Sequence, residues 1–364
     1  LAEAFWMMEG YFVRTLGMHR VYNSAFMNML RDEKNQEYRL VIKNTLEFDA
    51  EILKRYVNFM NNPDERTAVD QFGKGDKYFG ICTLMATLPG LPMIGHGQIE
   101  GFTEKYGMEY RRAYWDEYPD SYLVERHQQQ IFPLLRKRAL FAEVQNFRLY
   151  DFYKDDGTVD EDVYAYSNQR ESEKVFVVYH NRFKSTSGWL KLSTPFPSTP
   201  EGEKVLIQQS IAESLDIPNS PLSYAIFQDA TTGLEFIFNC SEIHTHGMHL
   251  ALNAYQCHVF KGPSIVEDTP DLKYQILTRR LNGNGVGDVN EAVEELAHEK
   301  LLGPFKELIN PGFINWLIQN RVNERGVPKK ESQTAIAEFR MKLERLFKAV
   351  LAWLTEEEGL IIDS

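Results

Sequence analysis

Two carboxylates close short apolar runs in the same manner. Leu1-Ala2 delivers Glu3, with Ala4-Phe5-Trp6 behind it, and Val57-Asn58-Phe59-Met60-Asn61-Asn62-Pro63 delivers Asp64. A pair of acids at strand ends can divide acid and base work if one of them is held protonated, which needs partial burial. Phe5 and Trp6 are placed to provide that burial for Glu3. A third run, Gly90-Leu91-Pro92-Met93-Ile94-Gly95-His96-Gly97-Gln98, brings His96 and Gln98 to a strand end as hydrogen-bonding side chains.

Residues 1–147 read as the scaffold for these groups, with strands alternating with helices. Strand Leu1 to Phe5 leads to a helix around Glu9 to Leu16, and Met18 to Asn23 is a short strand. Gln36 to Tyr56 is helical, because Tyr38, Val41, Ile42, Ile52, Leu53 and Tyr56 recur at the three-to-four spacing of a buried face. Val57 to Met60 is the next strand. Asp76 to Leu88 is a helix apolar nearly all round, which suits burial against a sheet. Leu91 to Ile94 is the last strand, and a helix from Ser121 to Glu143 follows, kinked at Pro133. Four strand–helix units with polar residues at the strands' C-terminal ends have the pattern of half a (β/α) barrel, whose active site lies on that rim.

From Phe147 the period changes to two. Val163–Tyr166, Val175–Tyr179, Val205–Ile207, Ala225–Phe227 and Phe236–Phe238 read as strands of a β-sandwich, and Asp229 to Gly233 as a hairpin loop with Gly where a positive φ is needed. Beyond Gly262 the signal is helical, with Asp288-Val289-Asn290-Glu291 as a helix start and a long helix from Glu331 to Thr355. The expected domains are therefore 1–147, 148–262 and 263–364.

The chain has 364 residues, 43% of them hydrophobic and 25% charged, so packed domains rather than disorder are expected. A net charge of -12 opposes nucleic-acid phosphates and is compatible with a neutral substrate. No run of 18 apolar residues exists, so no membrane span is expected. For Cys82, Cys240 and Cys257 buried thiols are favoured, with a Cys240–Cys257 disulfide as the alternative.

At Glu3 and Asp64 the chain resembles the α-amylase superfamily, glycoside hydrolase family 13. Ala2-Glu3-Ala4-Phe5-Trp6 is similar to the motif ending the fifth barrel strand. Phe59-Met60-Asn61-Asn62-Pro63-Asp64 is similar to the Phe-x-x-Asn-His-Asp motif of the seventh, and Gly90 to Gln98 to the Gly-x-Pro-x-Ile-x-x-Gly-Gln motif of the eighth. The resemblance covers residues 1–260. It implies an α/β fold containing strands 5–8 of a (β/α)8 TIM barrel, then an all-β sandwich and a helical C-terminal segment. It implies retaining hydrolysis or transglycosylation of α-1,4-glucans, with no cofactor and no metal in this part of the protein. Glu3 matches the general acid/base and Asp64 the carboxylate that steadies the charged transition state; Asn62, Trp6, His96 and Gln98 are the implied substrate contacts.

Two departures stand out. The family's nucleophilic Asp would lie upstream of Leu1, so the missing N-terminal half of the barrel is an expected partner and the chain alone is expected to be inactive. The family His beside the final Asp is Pro63, which removes one sugar-hydroxyl contact and supports the alternative of a non-catalytic glucan-binding or scaffolding relative. Four strands would also leave open sheet edges and inner residues Phe59, Met93 and Ile94 facing water.

Each candidate has a structural counterpart. Glu3 could be a strand-end acid paired with Arg20, and Asp64 a turn acid paired with Arg66. Glu9 reads as a solvated helix acid. His244, His246 and His249 have ligand-like spacing on a strand, but loop histidines are favoured. Gly283 to Gly287 reads as a helix-entry loop rather than a phosphate cradle. Tyr106, Tyr110, Tyr114, Trp115 and Tyr118 form an aromatic loop suited equally to sugar stacking and to packing.

Overall fold

The computed structural model describes residues 1–4, 8–105, 112–198, 205–320 and 332–358. The chain divides into two compact units, one comprising Leu1–Asp268 with Leu281–Gly287 and the other Thr269–Arg280 with Asp288–Ser364.

The larger unit begins with a parallel array. Ala2 bridges in parallel to Val21 of β1 (Val21–Tyr22), β1 pairs in parallel with β2 (Tyr56–Phe59), and β2 with β3 (Leu91–Met93). Helices fill the intervals, as parallel neighbours require a crossover. They include Glu9–Arg14 before β1, Asn35–Asp49 and Glu51–Arg55 before β2, and Asp76–Thr87 before β3. A further helix, Ser24–Arg31, falls where no element is expected from the sequence; Asn23 caps it by accepting from the Phe26 N–H at 3.2 Å. The Gln36–Tyr56 helix is broken at Ala50 and stops at Arg55, because Tyr56 is already strand. The kink at Pro133 is more extensive than expected. Ser121–Arg126 passes into a π-helical turn, His127–Ile131, then Phe132–Arg136 and a separate Arg138–Phe141. Proline lacks the N–H that would hold the preceding turn, and the ladder slips there.

The antiparallel part follows as β4 (Arg148–Tyr153), β5 (Val163–Arg170), β6 (Glu173–His180), β7 (Thr186–Ser193), β8 (Phe196–Ser198), β9 (Val205–Ile207), β10 (Ser223–Gln228), β11 (Glu235–Asn239), β12 (Met248–Leu252), β13 (Cys257–Lys261) and β14 (Ser264–Glu267). Six of these strands form one sheet in the order β12-β7-β4-β5-β6-β13; β11-β10-β14 form a second, and β8-β9 a two-stranded ribbon. Val205–Ile207 is thus an exposed ribbon strand and not part of a sandwich layer. The hairpin at Asp229 is as expected, with Gly233 at φ 77° and its N–H donating to the Asp229 carbonyl at 2.8 Å.

Strands β5 and β6 of the six-stranded sheet are buried on both faces, and the period of two sorts their side chains. Tyr164, Tyr166, Val177 and Tyr179 join the core beneath the parallel array, while Val163, Ala165, Phe176 and Val178 join a second core with Ala225 and Phe227 of the smaller sheet. The Asp76–Thr87 helix belongs to the first core and is buried from Tyr78 to Thr87. Its all-round apolar character follows from this position: Tyr179 of β6 lies so close that a Cβ on Gly80 would fall 2.0 Å from the Tyr179 ring. Phe59 is likewise buried, with the Tyr22 ring 5.1 Å away, and Met93 is half-buried; only Ile94 of the three inner residues is exposed to the extent expected of an uncovered array.

Arg39 fixes the Asn35–Asp49 helix to the sheet. Fully buried, it pairs with Asp151, donates to Glu161 at 2.7 Å and donates to the Val163 carbonyl at 2.7 Å. A buried cation stripped of such partners would cost several kcal/mol.

In the smaller unit, Asp288 caps Val289–Ala297 by accepting from the Glu291 N–H at 2.9 Å, and Ser332–Glu358 is a long helix. Among the described residues no helix is long and apolar enough to cross a membrane.

Candidate functional site

The four parallel segments run in chain order, so Glu3, Asp64 and His96 all follow C-terminal ends of one array. Glu3 stands one residue beyond the Ala2 bridge, whose N–H donates to the Arg20 carbonyl at 2.9 Å while its carbonyl accepts from the Tyr22 N–H at 3.0 Å. The strands carrying Glu3 and Asp64 are not neighbours, since β1 lies between them. Two strand spacings, about 10 Å, therefore separate the backbones that present the two acids.

Glu3 is exposed and, among the described residues, has no ion pair; Arg20 instead donates to the Lys54 carbonyl at 2.5 Å. Phe5 and Trp6, the expected cover for Glu3, lie outside the described residues. Asp64 sits in the turn after Pro63, exposed. Arg66 pairs with Asp70 at 3.4 Å rather than with Asp64. Among the described residues, both acids are thus free of the pairings with Arg20 and Arg66 that would account for them.

Asn62 is occupied differently from the expectation of a substrate contact. Buried, its Oδ1 accepts from the N–H groups of Asp64 and Glu65, both at 3.0 Å, so this carboxamide oxygen shapes the turn that presents Asp64. Lys105 holds the same turn from outside by donating to the Asp64 carbonyl at 2.8 Å.

Gln98 also points inward. Its Oε1 accepts from the Gly95 N–H at 3.1 Å, and its amide reaches Met60 Sδ at 3.4 Å and Cys82 Sγ at 3.7 Å. The Tyr78 hydroxyl donates to the Gln98 carbonyl at 2.6 Å and lies 3.3 Å from His127 Nε2. His127 Nδ1 is 2.8 Å from the Leu123 carbonyl, which assigns the proton to Nδ1. Burial pushes His127 below its ordinary value, so the ring is neutral, and pushes the Cys82 thiol up to about 12. Gln98 therefore anchors the rim turn, and His96 is the exposed polar side chain of this run, its ring 6.1 Å from Phe102.

Of the aromatic loop, Tyr106 and Tyr110 lie outside the described residues, while Tyr114, Trp115 and Tyr118 are exposed. Two carboxylates that drew no attention in the sequence brace this loop. Glu104 accepts from the N–H groups of Tyr114 at 2.8 Å and Trp115 at 3.1 Å. Glu117 accepts from the Thr103 N–H at 2.7 Å and the Glu104 N–H at 2.9 Å. Burial works against its charge, but the Thr103 hydroxyl and these N–H groups hold Glu117 below the usual carboxylate range. No periodic signal marks such residues, because both act across a loop.

Other candidates resolve away from the rim. Glu9 is buried, not solvated. His244 lies in a helix, Cys240–Thr245, not on a strand, with Nε2 2.8 Å from the Ile217 carbonyl. His249 is on β12 with its ring 4.8 Å from Trp189. Among the described residues no three His, Cys, Asp or Glu side chains are grouped to hold a metal ion. All three cysteines are free thiols. Val286 of the glycine loop bridges to Glu235, tying that loop to β11.

No protein-family model and no curated protein matches the sequence. Solved structures of two α-amylases and a cyclomaltodextrin glucanotransferase resemble it in part. An α-amylase from Anoxybacillus is 11% identical, over 73% of this chain and 52% of that one, with a TM-score of 0.45. The α-amylase GTA of Geobacillus thermoleovorans, solved with acarbose, is 14% identical over 73% and 53%, also at 0.45. CldA, a cyclomaltodextrin glucanotransferase, is 17% identical over 72% and 49%, again at 0.45. The chain spans about half the length of these proteins.

Proposed function

We propose that this chain carries the acid/base side of an active site of α-amylase type, which cleaves or transfers α-1,4-linked glucans with retention. The observation that supports it best is the order of the array. Three motif-bearing segments lie in parallel in chain order, with Glu3, Asp64 and His96 following the same ends. In this reading the array is strands 5–8 of a (β/α)8 barrel. Glu3 protonates the departing glycosidic oxygen and later takes a proton from the incoming hydroxyl, while Asp64 steadies the positive charge that develops on the sugar ring. The nucleophilic carboxylate that retention also requires is not assigned to any residue of this sequence. Tyr114, Trp115 and Tyr118 form a stacking platform for glucosyl rings, held by Glu104 and Glu117.

The test is an assay of the longest natural polypeptide carrying this sequence on maltoheptaose, with products resolved by chromatography. Glu3→Gln should lower turnover by about 10²–10⁴, the usual contribution of a positioned acid. Wild-type protein that neither cleaves nor binds maltoheptaose would defeat the proposal. A second reading, glucan binding without turnover, is supported by Pro63 at the motif's His position; its signature is binding of maltoheptaose with no products.

A further inference from the structure

A cavity of about 540 Å³ opens beside Tyr56, the first residue of β2, at the end of that strand opposite Asp64. Its volume lies within the roughly 300–1,000 Å³ of small-molecule sites, which are mostly apolar with a few polar groups. The lining has that character. Met29, Ile52 and Tyr56 are buried, while Leu40 and Phe48, from the Asn35–Asp49 helix, are 53% and 60% exposed. Arg14 lies over the Phe48 ring at 4.8 Å and pairs with Asp49 at 3.5 Å, which holds that aromatic in place.

The polar part of the lining has one sign. It includes two carboxylates, Glu9, buried, and Glu37, exposed, and no lysine, arginine or histidine. Arg14, Arg39 and Lys43, on the helices that carry these two acids, are paired with Asp49, Glu161 and Asp151. Glu9 acts on the cavity through its field. Burial pushes the Tyr56 hydroxyl up to about 12, and the charge of Glu9 adds to that rise. Such a field, acting beside apolar walls, favours a cation and repels an anion.

We infer that this cavity binds an organic cation with an apolar body, of the arylalkylamine class. The hydrocarbon part packs against Ile52, Tyr56 and Phe48, and the ammonium group sits beside Glu37 in the field of Glu9. The site lies away from the strand ends that carry Glu3 and Asp64, so it goes beyond the glucan reading and does not depend on it. Gly10 is the position at which the cavity can be closed. Within 4 Å a Cβ there would meet only Ile52 Cδ1, at 3.6 Å, so packing does not require a glycine and a larger side chain would enter the open space.

The test is titration calorimetry of the full chain at pH 7 with three probes of one shape: 4-phenylbutylamine, 4-phenylbutanol and 4-phenylbutyrate. Thermal unfolding and light scattering are measured in parallel. The amine should bind at least about tenfold more tightly than the carboxylate, with the alcohol between them. Gly10→Leu should weaken amine binding at least about tenfold while the protein stays folded. Asn44→Trp, at an exposed position of the same lining, is the second variant should the leucine fail to fold. Glu37→Gln should keep binding but narrow the amine-to-carboxylate ratio about threefold, which loss of shape alone would not do. No binding of the amine by the wild type overturns the site. Equal binding of the three probes, or an unchanged ratio in Glu37→Gln, overturns the preference for a cation. Undiminished binding by a folded cavity-filling variant places the amine elsewhere and overturns the assignment. A wild-type dimer that Gly10→Leu makes monomeric identifies a second copy as the occupant and overturns it as well.

Discussion

At the seam between the Asn35–Asp49 helix and the six-stranded sheet, polar side chains are matched donor to acceptor. Asn35 donates to Asp162 at 2.7 Å and to the Asn181 carbonyl at 2.9 Å, and its oxygen accepts from Asn181 at 2.7 Å and Tyr164 at 3.1 Å. Arg39 is enclosed by Asp151, Glu161 and two backbone carbonyls. At the C-terminal ends of the parallel array the pattern is reversed: Glu3 and Asp64 are exposed and without ion pairs among the described residues. Polar groups that hold a fold are used up by it. The two exposed acids at the strand ends are not used in that way.

Breaking the seam should have the largest effect on stability. Arg39→Ala leaves Asp151 and Glu161 without their buried cation and is expected to cost about 3–5 kcal/mol, read as a fall in the urea midpoint. The carboxylates are partly exposed, at 18% and 30% for their side chains, which favours the lower end. A loss under about 1 kcal/mol would mean that the seam is not what joins helix to sheet.

The middle of the range is a pH effect. Burial lowers the values of His127, below the rim, and of His180, at the end of β6, from the ordinary 6.5. In the unfolded chain both take up protons more readily than in the folded one. Their stabilising contribution is therefore fully present above about pH 6.5 and is lost as pH falls below it toward the lowered values. The lowered carboxylates of Glu33, Asp162 and Asp229 act in a separate window, at and below the ordinary carboxylate range. Melting temperatures from pH 7.5 to 5 should decline, and His127→Phe should flatten the decline. An unchanged slope in that variant would show that the histidine is not held neutral.

Much of this contrast was legible in the residues themselves. The alternation of strands and helices over 1–147 follows from buried-face spacing, and the hairpin at Gly233 from its positive φ. What was not legible depends on distant partners. The Asp76–Thr87 helix lacks a polar face because Tyr166 and Tyr179, some eighty to a hundred residues on, cover its outer side. The Ser24–Arg31 helix is packed as part of that same core, with Phe26, Met27 and Leu30 fully buried. β4, β7, β12, β13 and β14 also went unrecognised, although β12 alternates, with Met248, Leu250 and Leu252 buried and His249 and Ala251 between them. At the rim, residue types identified Glu3, Asp64 and His96 as candidates, but no pattern could tell that Gln98 faces Met60 and Cys82, or that Asn62 serves the Asp64 turn.

The smallest expected effect is the most exacting for the comparison. Glu3→Gln and Asp64→Asn each remove a charge from an exposed position with no ion pair among the described residues, so each should change stability by no more than about 0.5 kcal/mol. Asp64→Asn keeps the backbone N–H that Asn62 accepts and the carbonyl that Lys105 reaches, so the turn has no reason to move. A melting curve superimposable on the wild type, together with lost maltoheptaose binding or cleavage, is the pairing a ligand-directed acid produces. If either variant instead unfolds early, its carboxylate holds the rim together as Arg39 holds the seam, and the distinction between the two regions disappears.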